Sequence, residues 1–150
     1  MYDLRELYQE IVMDHNRRPR NFHKLEEANR TADGFNPLCG DQIDLYLIVE
    51  DDVITDVGFE GVGCAISKAS ASMMTESVKG KSVAEAEKTF DAFRHMITRL
   101  PGEDFDADML GDLEILSGVS EYPARIKCAT LSWHTLKSAL NGQGKQIKTE

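Results

Sequence analysis

The first apolar side chains of the sequence recur three or four residues apart, at Leu4, Leu7, Tyr8, Ile11 and Val12. This spacing places them on one face of a helix. Asp3 is the predicted N-cap, and we expect the helix to end near Asn16, before a basic segment at residues 17–20 that contains a proline. The pattern therefore predicts an amphipathic helix at the start of the chain.

Shorter apolar runs follow, and their length and composition are typical of β-strands. Residues 43–49 and 53–59 are rich in aliphatic and aromatic side chains, and the acidic residues 50–52 separate the two runs. Two runs of this kind joined by a short polar turn predict a β-hairpin. We expect a further strand before the hairpin, at about residues 28–35.

Three helices are predicted after the hairpin. Small side chains follow Ala65 and would let the first of these helices pack closely on the sheet. Ser82, with Glu85 three residues later, has the pattern of a capping box for the second. Pro123 and Gly142 predict the limits of the third. The order of these elements predicts an α+β fold, in which helices cover a small antiparallel sheet.

Length and charge narrow the classes of function. The 150 residues form one predicted domain, with a polar, mobile tail expected at about 143–150. The net charge is −9, from 26 acidic and 17 basic side chains, which disfavours a nucleic-acid partner. The longest apolar run, residues 45–49, is too short to span a bilayer, so no membrane partner is expected. We predict a cytoplasmic protein, because free thiols persist in reducing surroundings.

Three cysteines lie at junctions between the predicted elements. Cys39 precedes the first strand of the hairpin and Cys64 follows the second, so strand pairing should bring both close to Asp41. Cys128 lies near the start of the final helix, and Arg125 shares its helix face and should reach the same pocket. Three thiolates and one carboxylate are enough ligands for a tetrahedral zinc site. Without their flanking residues, the cysteines would more simply be buried apolar side chains.

The segments around these cysteines resemble the signature segments of the IscU/SufU family of iron–sulfur assembly proteins. They are Pro-Leu-Cys-Gly-Asp at 37–41, Gly-Val-Gly-Cys-Ala-Ile-Ser at 61–67 and Arg-Ile-Lys-Cys-Ala at 125–129. Asp14 and His15, with the segment at 19–21, are similar to that family as well. Two features resemble its SufU branch: Lys127 stands where IscU-type scaffolds have a histidine, and an extra stretch occupies about 103–122.

The resemblance implies a zinc site formed by Cys39, Asp41, Cys64 and Cys128. It also implies a sulfurtransferase that accepts persulfide sulfur from a SufS-type, pyridoxal-phosphate-dependent cysteine desulfurase and supplies downstream iron–sulfur assembly proteins. It favours Cys39 as the persulfide acceptor and leaves Arg125 a supporting charge. The residues alone do not rank Cys39 above the other two cysteines.

Two alternatives remain open at this point. The same four side chains could hold an iron–sulfur cluster on a scaffold protein, or they could form a structural zinc module that only mediates protein contacts. Lys127 disfavours cluster ligation next to Cys128, because a protonated amine has no free lone pair. A hydrolase is disfavoured as well, because four protein ligands leave no position for an activated water on zinc.

Overall fold

The computed structural model describes residues 4–142 and 147–148. Their helices and strands follow the chain as α1 (Leu4–Arg17), β1 (Arg30–Asn36), β2 (Asp41–Glu50), β3 (Val53–Val62), α2 (Ala65–Val78), α3 (Val83–Thr98), α4 (Ala107–Leu110), a 3₁₀-helix (Gly111–Glu121), α5 (Pro123–Leu140) and β4 (Ile147–Lys148). The predicted α+β class is confirmed. No helix among the described residues has both the length and the apolar character that a membrane crossing requires.

The sheet has the strand order β3-β2-β1-β4. The pairs β1–β2 and β2–β3 are antiparallel, so the predicted hairpin and its preceding strand are confirmed. Asn36 pairs with Asp41 and closes a turn at residues 37–40, while Gln42 pairs with Val62 at the outer end of the β2–β3 hairpin. These pairings bring the first two cysteine segments to the same end of the sheet.

Residues 147–148 add a short parallel strand beside Gly34 and Phe35 that the sequence pattern did not predict. They lie within the segment expected to be a mobile tail. The rest of that segment, residues 143–146 and 149–150, lies outside the described residues, and so does the predicted N-cap Asp3.

Successive side chains of a strand point to opposite faces of the sheet, and this alternation decides which of them face the helices. In β2, the side chain of Asp41 lies on the same face of the strand as those of the buried apolar residues Ile43, Leu45 and Leu47. All four residues are at most 3% exposed. α5 packs on β1 and β2, α2 packs on α5, and α1 packs on α2. Asp41 is therefore a carboxylate at the end of an apolar row, on the face of the sheet that the helices cover.

The helix signals in the sequence are mostly confirmed. Ser82 and Glu85 form the predicted capping box at the start of α3, and α5 begins at Pro123 as expected. The extra stretch forms α4 and the 3₁₀-helix, whose buried side chains recur every three residues at Leu110, Leu113, Leu116 and Val119. A period of three matches the three residues per turn of a 3₁₀-helix. This segment packs against α3 and α1 and forms one wall of a cavity described below.

A candidate metal site of thiols and a carboxylate

The three cysteines and Asp41 meet at one end of the sheet, and we call these four residues the thiol site. The ligand atoms of Cys39, Asp41 and Cys128 all lie within 4.8 Å of one another. The Sγ atoms of Cys39 and Cys128 are 3.4 Å apart. Cys39 is exposed on its turn, whereas Asp41 and Cys128 have no exposed surface. One side of the group is thus fixed in the protein interior and the other side faces the solvent.

Asp41 is held through both of its carboxylate oxygens. Oδ1 accepts a hydrogen bond from the backbone N–H of Cys64 at 2.8 Å, and Oδ2 accepts one from the side-chain amide of Asn36 at 3.1 Å. A Cβ atom at Gly63 would collide with Asp41 Oδ1, so a glycine is needed for this approach. These contacts join the two ends of the β2–β3 hairpin at the carboxylate.

Cys64 is the N-cap residue of α2, as its position in the sequence predicted. Its Sγ accepts a hydrogen bond from the backbone N–H of Ser67 at 3.4 Å. A helix N-terminus favours negative charge on a group placed there. The Cys64 sulfur lies outside the 4.8 Å group that Cys39, Asp41 and Cys128 form. Its part as a fourth ligand stays a prediction.

The pKa of the Cys128 thiol indicates which kind of ligand the site would bind. Burial raises the pKa of the Cys128 thiol, and the neighbouring Cys39, Asp41 and Cys64 raise it further. Acidic groups placed this close together repel one another once they are ionised, and a divalent cation offsets that repulsion. Two thiols and a carboxylate in mutual reach therefore have the chemistry of a site for a metal ion that accepts thiolate ligands.

Arg125 lies beside the thiol site rather than among its ligand atoms. It is exposed, and it lines a cavity of about 760 Å³ bounded by α1, the start of α2, the 3₁₀-helix and the start of α5. Tyr8 lines the same cavity; burial raises its pKa, while the charge of Arg125 lowers it and Cys64 raises it. The predicted supporting role of Arg125 stays a prediction; Ala65, the residue after Cys64, lines the same cavity.

Exposed apolar side chains are adjacent in sequence to the ligand residues. Leu38 precedes Cys39, and Val62 lies two residues before Cys64; both are 68% exposed. Tyr122 stands just before α5 and is 61% exposed. These side chains leave apolar surface exposed beside the segments that carry the candidate ligand residues.

Asn36 is a site residue that the sequence interpretation missed. It is fully buried, and its side chain contacts both Asp41 and Cys128. The sequence did indicate that the Asn36 side chain points to the interior, because strand alternation puts it on the same face of β1 as the buried residues Ala32 and Gly34. Its contact with Cys128, which is 92 residues away along the chain, could not be read from the spacing.

Comparison with known proteins agrees with this arrangement. Residues 7–129 match the family model of the NifU-like N-terminal domain. The chain is 45% identical over 139 residues to the zinc-dependent sulfurtransferase SufU of Bacillus subtilis, with 92% of each chain covered. It is 42% identical over 134 residues to the iron–sulfur cluster assembly scaffold protein IscU of Thermotoga maritima, with 89% of this chain and 92% of the relative covered.

A solved structure has the same fold. It is the crystal structure of FiSufU from Fervidobacterium islandicum AW-1. The two superimpose with a TM-score of 0.82 at 38% identity, and the match covers 90% of this chain and 97% of that one. The fold of this chain is thus one that a solved protein structure shares.

Proposed function

Because this chain belongs to the NifU-like N-terminal domain family, we propose that it is a zinc-dependent sulfurtransferase, which accepts persulfide sulfur from a SufS-type cysteine desulfurase for iron–sulfur cluster assembly. The observation that carries this proposal is the pairing of an exposed thiol, Cys39, with a buried thiol, Cys128, 3.4 Å away and next to a buried carboxylate. The 45% identity to the zinc-dependent sulfurtransferase of Bacillus subtilis supports the same assignment.

Zinc fits the residues of the thiol site. Cys39, Asp41 and Cys128 would hold it, with Cys64 as the fourth ligand after rotation of its side chain from the capping position. Sulfur and carboxylate oxygen are both normal zinc ligands, and two of these groups are already buried and oriented. Bound zinc keeps the thiolates deprotonated at neutral pH, which the crowding of acidic groups otherwise opposes.

The reaction that we propose is a thiol–persulfide exchange. The Cys39 thiolate attacks the terminal sulfur of the persulfide on the desulfurase, and a new bond forms between that sulfur and Cys39 Sγ. The sulfur–sulfur bond of the donor breaks, and its electron pair leaves on the donor cysteine as a thiolate. One sulfur atom moves, and no external oxidant or reductant is required.

Cys39 is the acceptor favoured by exposure and by backbone. Its side chain is exposed, and Gly40 after it has a φ of 70°, in the region that glycine adopts without strain. Cys128 is buried within α5, and Cys64 caps α2. A persulfide on another protein can approach Cys39 from the solvent, and the exposed side chains of Leu38 and Val62 offer that protein an apolar contact beside the thiol.

The second candidate function is a scaffold on which an iron–sulfur cluster is assembled and transferred. The 42% identity to the IscU scaffold protein of Thermotoga maritima favours it. Lys127, next to Cys128, argues against it, because a protonated lysine cannot ligate iron. In either role, the partners that we propose are a cysteine desulfurase and downstream iron–sulfur assembly proteins.

Elemental analysis combined with a sulfur-transfer assay tests the proposal. The protein purified in air should be colourless and hold about one zinc per chain, as expected for a single four-ligand site. After incubation with a SufS-type desulfurase and cysteine, mass spectrometry should find added sulfur on the Cys39 peptide, and Cys39→Ser should abolish it. Brown protein with stoichiometric iron and sulfide that transfers its cluster would favour the scaffold. Persulfide on none of the cysteines would contradict the sulfurtransferase.

A further inference from the structure

We propose that Asn36 is a positioning residue of this site: it fixes Asp41 and Cys128 as the rigid side of the site and leaves Cys39 as the thiol that is free to react. This role of Asn36 rests on the proposed function and adds one residue to the same site. It rests on the hydrogen bonds of one buried amide, which reaches three separate parts of the site.

The position of Asn36 in the sheet brings its amide to the site. It is the last residue of β1, pairs with Asp41 of β2 and has no exposed surface. Its Nδ2 lies 3.1 Å from Asp41 Oδ2 and 3.6 Å from Cys128 Sγ. The second distance suits a hydrogen bond to sulfur, which is a larger atom than oxygen. One NH₂ group therefore bridges a ligand on the sheet and a ligand on α5.

The direction of this amide follows from its partners. Asn36 Oδ1 accepts a hydrogen bond from the backbone N–H of Leu38 at 3.3 Å. A backbone N–H can only donate, so the carbonyl oxygen must face Leu38 and the NH₂ group must face the carboxylate and the sulfur. The NH₂ group has two hydrogens, one for each of these acceptors. Both N–H donors and the carbonyl oxygen of the amide are directed at the site and at the turn that carries Cys39.

The two adjacent thiols are affected differently. An N–H that donates to Cys128 Sγ withdraws electron density from that sulfur, which weakens it as a nucleophile while holding it in place as a ligand. Cys39 receives no such bond from Asn36; only the start of its turn, at Leu38, is restrained. The amide thus supplies a physical reason for two thiols 3.4 Å apart to have different roles.

Asn36→Asp tests the proposal with little change of shape. It keeps Oδ1 for the Leu38 N–H and replaces the NH₂ donor with an oxygen that faces the Asp41 carboxylate. Asn29→Asp is the matched control: Asn29 lies just before β1, at the other end of that strand, and its exposed amide bonds to both backbone groups of Val49 in the same two-sided way. Competition with a chromogenic chelator gives the zinc affinity. Iodoacetamide labelling, followed by peptide mass spectrometry, compares Cys128 with Cys39.

We expect Asn36→Asp to lower zinc affinity by about 10- to 100-fold, the usual cost of losing a group that orients a ligand. The labelling of Cys128 relative to Cys39 should rise, and Asn29→Asp should match the wild type in both measurements. Asn36→Ala removes the donors without adding charge, so it provides the same comparison if the aspartate variant does not fold. Unchanged affinity and an unchanged labelling ratio in a folded Asn36 variant would overturn the proposal.

A measurement on the wild-type chain requires no substitution. In the zinc-loaded, ¹⁵N-labelled protein, the side-chain amide protons of Asn36 should exchange with water more slowly than those of Asn29. Equally fast exchange would contradict the hydrogen bonds from the Asn36 amide to the Cys128 sulfur and the Asp41 carboxylate. The two proposals can fail separately. Sulfur on Cys39 of the wild type, together with an Asn36→Asp variant that behaves like the wild type, would refute only the role of Asn36. Loss of zinc in that variant, together with no sulfur transfer to the wild type, would refute only the sulfurtransferase.

Discussion

Two polar clusters lie along α2, and their hydrogen bonding differs. The thiol site is at the N-terminus of the helix, around Cys64. The second cluster, which we call the histidine cluster, consists of His15, Arg20, Ser72 and Thr75. Ser72 lies eight residues beyond Cys64, or about 12 Å along a helix that rises 1.5 Å per residue. Both clusters are largely buried, so burial alone does not separate a functional site from a structural one.

Most polar groups of the histidine cluster form hydrogen bonds with one another or with nearby backbone. Ser72 Oγ lies 2.7 Å from His15 Nδ1 and accepts the backbone N–H of Arg20 at 2.8 Å. Thr75 Oγ1 donates to the backbone carbonyl of Ser72 at 2.7 Å. The guanidinium of Arg20 pairs with Asp14. These bonds attach the segment after α1 to α2 and pair donors with acceptors inside the cluster.

The thiol site instead gathers acidic groups. Cys39, Asp41 and Cys128 bring two sulfurs and a carboxylate together, and the hydrogen-bond donors that reach them are the Asn36 amide, the backbone N–H of Cys64 and the Cys128 thiol. Acidic groups that lie this close together suit a bound cation, whereas a cluster of paired donors and acceptors offers a cation no such site. The difference between the two clusters indicates that a concentration of acidic groups, rather than buried polarity, marks the candidate metal site. It leads to four predictions.

The largest expected change is the loss of zinc affinity in Asp41→Ala. This change removes a proposed ligand, leaves the Cys64 N–H without its acceptor and leaves the Asn36 NH₂ group with Cys128 Sγ alone. We expect zinc affinity to fall by more than about 100-fold, beyond the cost of losing an orienting group alone, and persulfide acceptance to fall with it. Chelator competition measures the first and mass spectrometry the second.

Asp44→Ala is the control for that variant. Asp44 lies on the same strand but on the outer face of the sheet, where burial and the neighbouring Asp33 raise its pKa. Replacing it should leave zinc binding unchanged, because its carboxylate points away from the thiol site. Equal zinc retention by the two variants would remove Asp41 from the set of ligands.

Removal of zinc should have the next largest effect, on thermal stability. A ligand that binds only the folded state stabilises it by about 2.7 kcal/mol when its free concentration is 100 times the dissociation constant. We therefore expect a chelator to lower the unfolding temperature of the wild type, and to have little effect on Asp41→Ala, which has already lost its metal. The same unfolding temperature with and without stoichiometric zinc would show that the ion does not hold the site together.

Local signals made much of this fold predictable. The hairpin, the capping box of Ser82 and Glu85, and the limits of α5 depend on residues close together in sequence, which is why they could be read from the pattern. β4 could not, because two residues form a strand only where an edge such as β1 offers its free backbone groups. The 3₁₀-helix had a signal in its period of three, but its burial depends on packing against α3.

The site was predictable to the same extent. Pairing of β2 with β3 brings Asp41 to Cys64, and hairpin topology alone indicates this. The direction of the Cys64 sulfur, which caps α2, is set by helix geometry that the sequence does not display. The bond from Asn36 to Cys128 links β1 to α5, and packing decides it. Contacts between neighbouring strands can be inferred from pattern, whereas contacts between packed layers require the structure.

In the histidine cluster, Ser72→Ala should reduce stability without affecting chemistry. The change leaves the Arg20 N–H and His15 without the hydroxyl that both contact. An unsatisfied buried group costs about 1–3 kcal/mol, and urea unfolding would measure this loss. Ser77→Ala is the control, because Ser77 lies on the same helix and only bonds back to Met74. Zinc content and persulfide acceptance should match the wild type in both variants; a loss of either would mean that the two clusters are coupled.

The smallest effect is a dependence of stability on pH that comes from His15. Burial lowers the pKa of this imidazole and the charge of Arg20 lowers it further, while Glu76, Asp14 and Asp112 act in the opposite direction. The folded state therefore binds the proton less tightly than the unfolded state, whose histidine titrates near 6.5. This contribution to stability is complete above pH 6.5 or so and is lost as the pH falls through the lower, folded value.

Replacing the imidazole isolates its contribution. We expect the urea midpoint of the wild type to fall between about pH 7 and pH 5, and that of His15→Gln to fall less. The difference between the two curves cancels the pH dependence of zinc binding, which both proteins share. A residual decline is expected from His134, whose pKa burial, Arg94 and Lys137 also lower. His23→Gln serves as the control because His23 is exposed. Parallel curves for the wild type and His15→Gln would show that the histidine cluster tolerates a proton, and that its closed hydrogen bonding does not depend on a neutral imidazole.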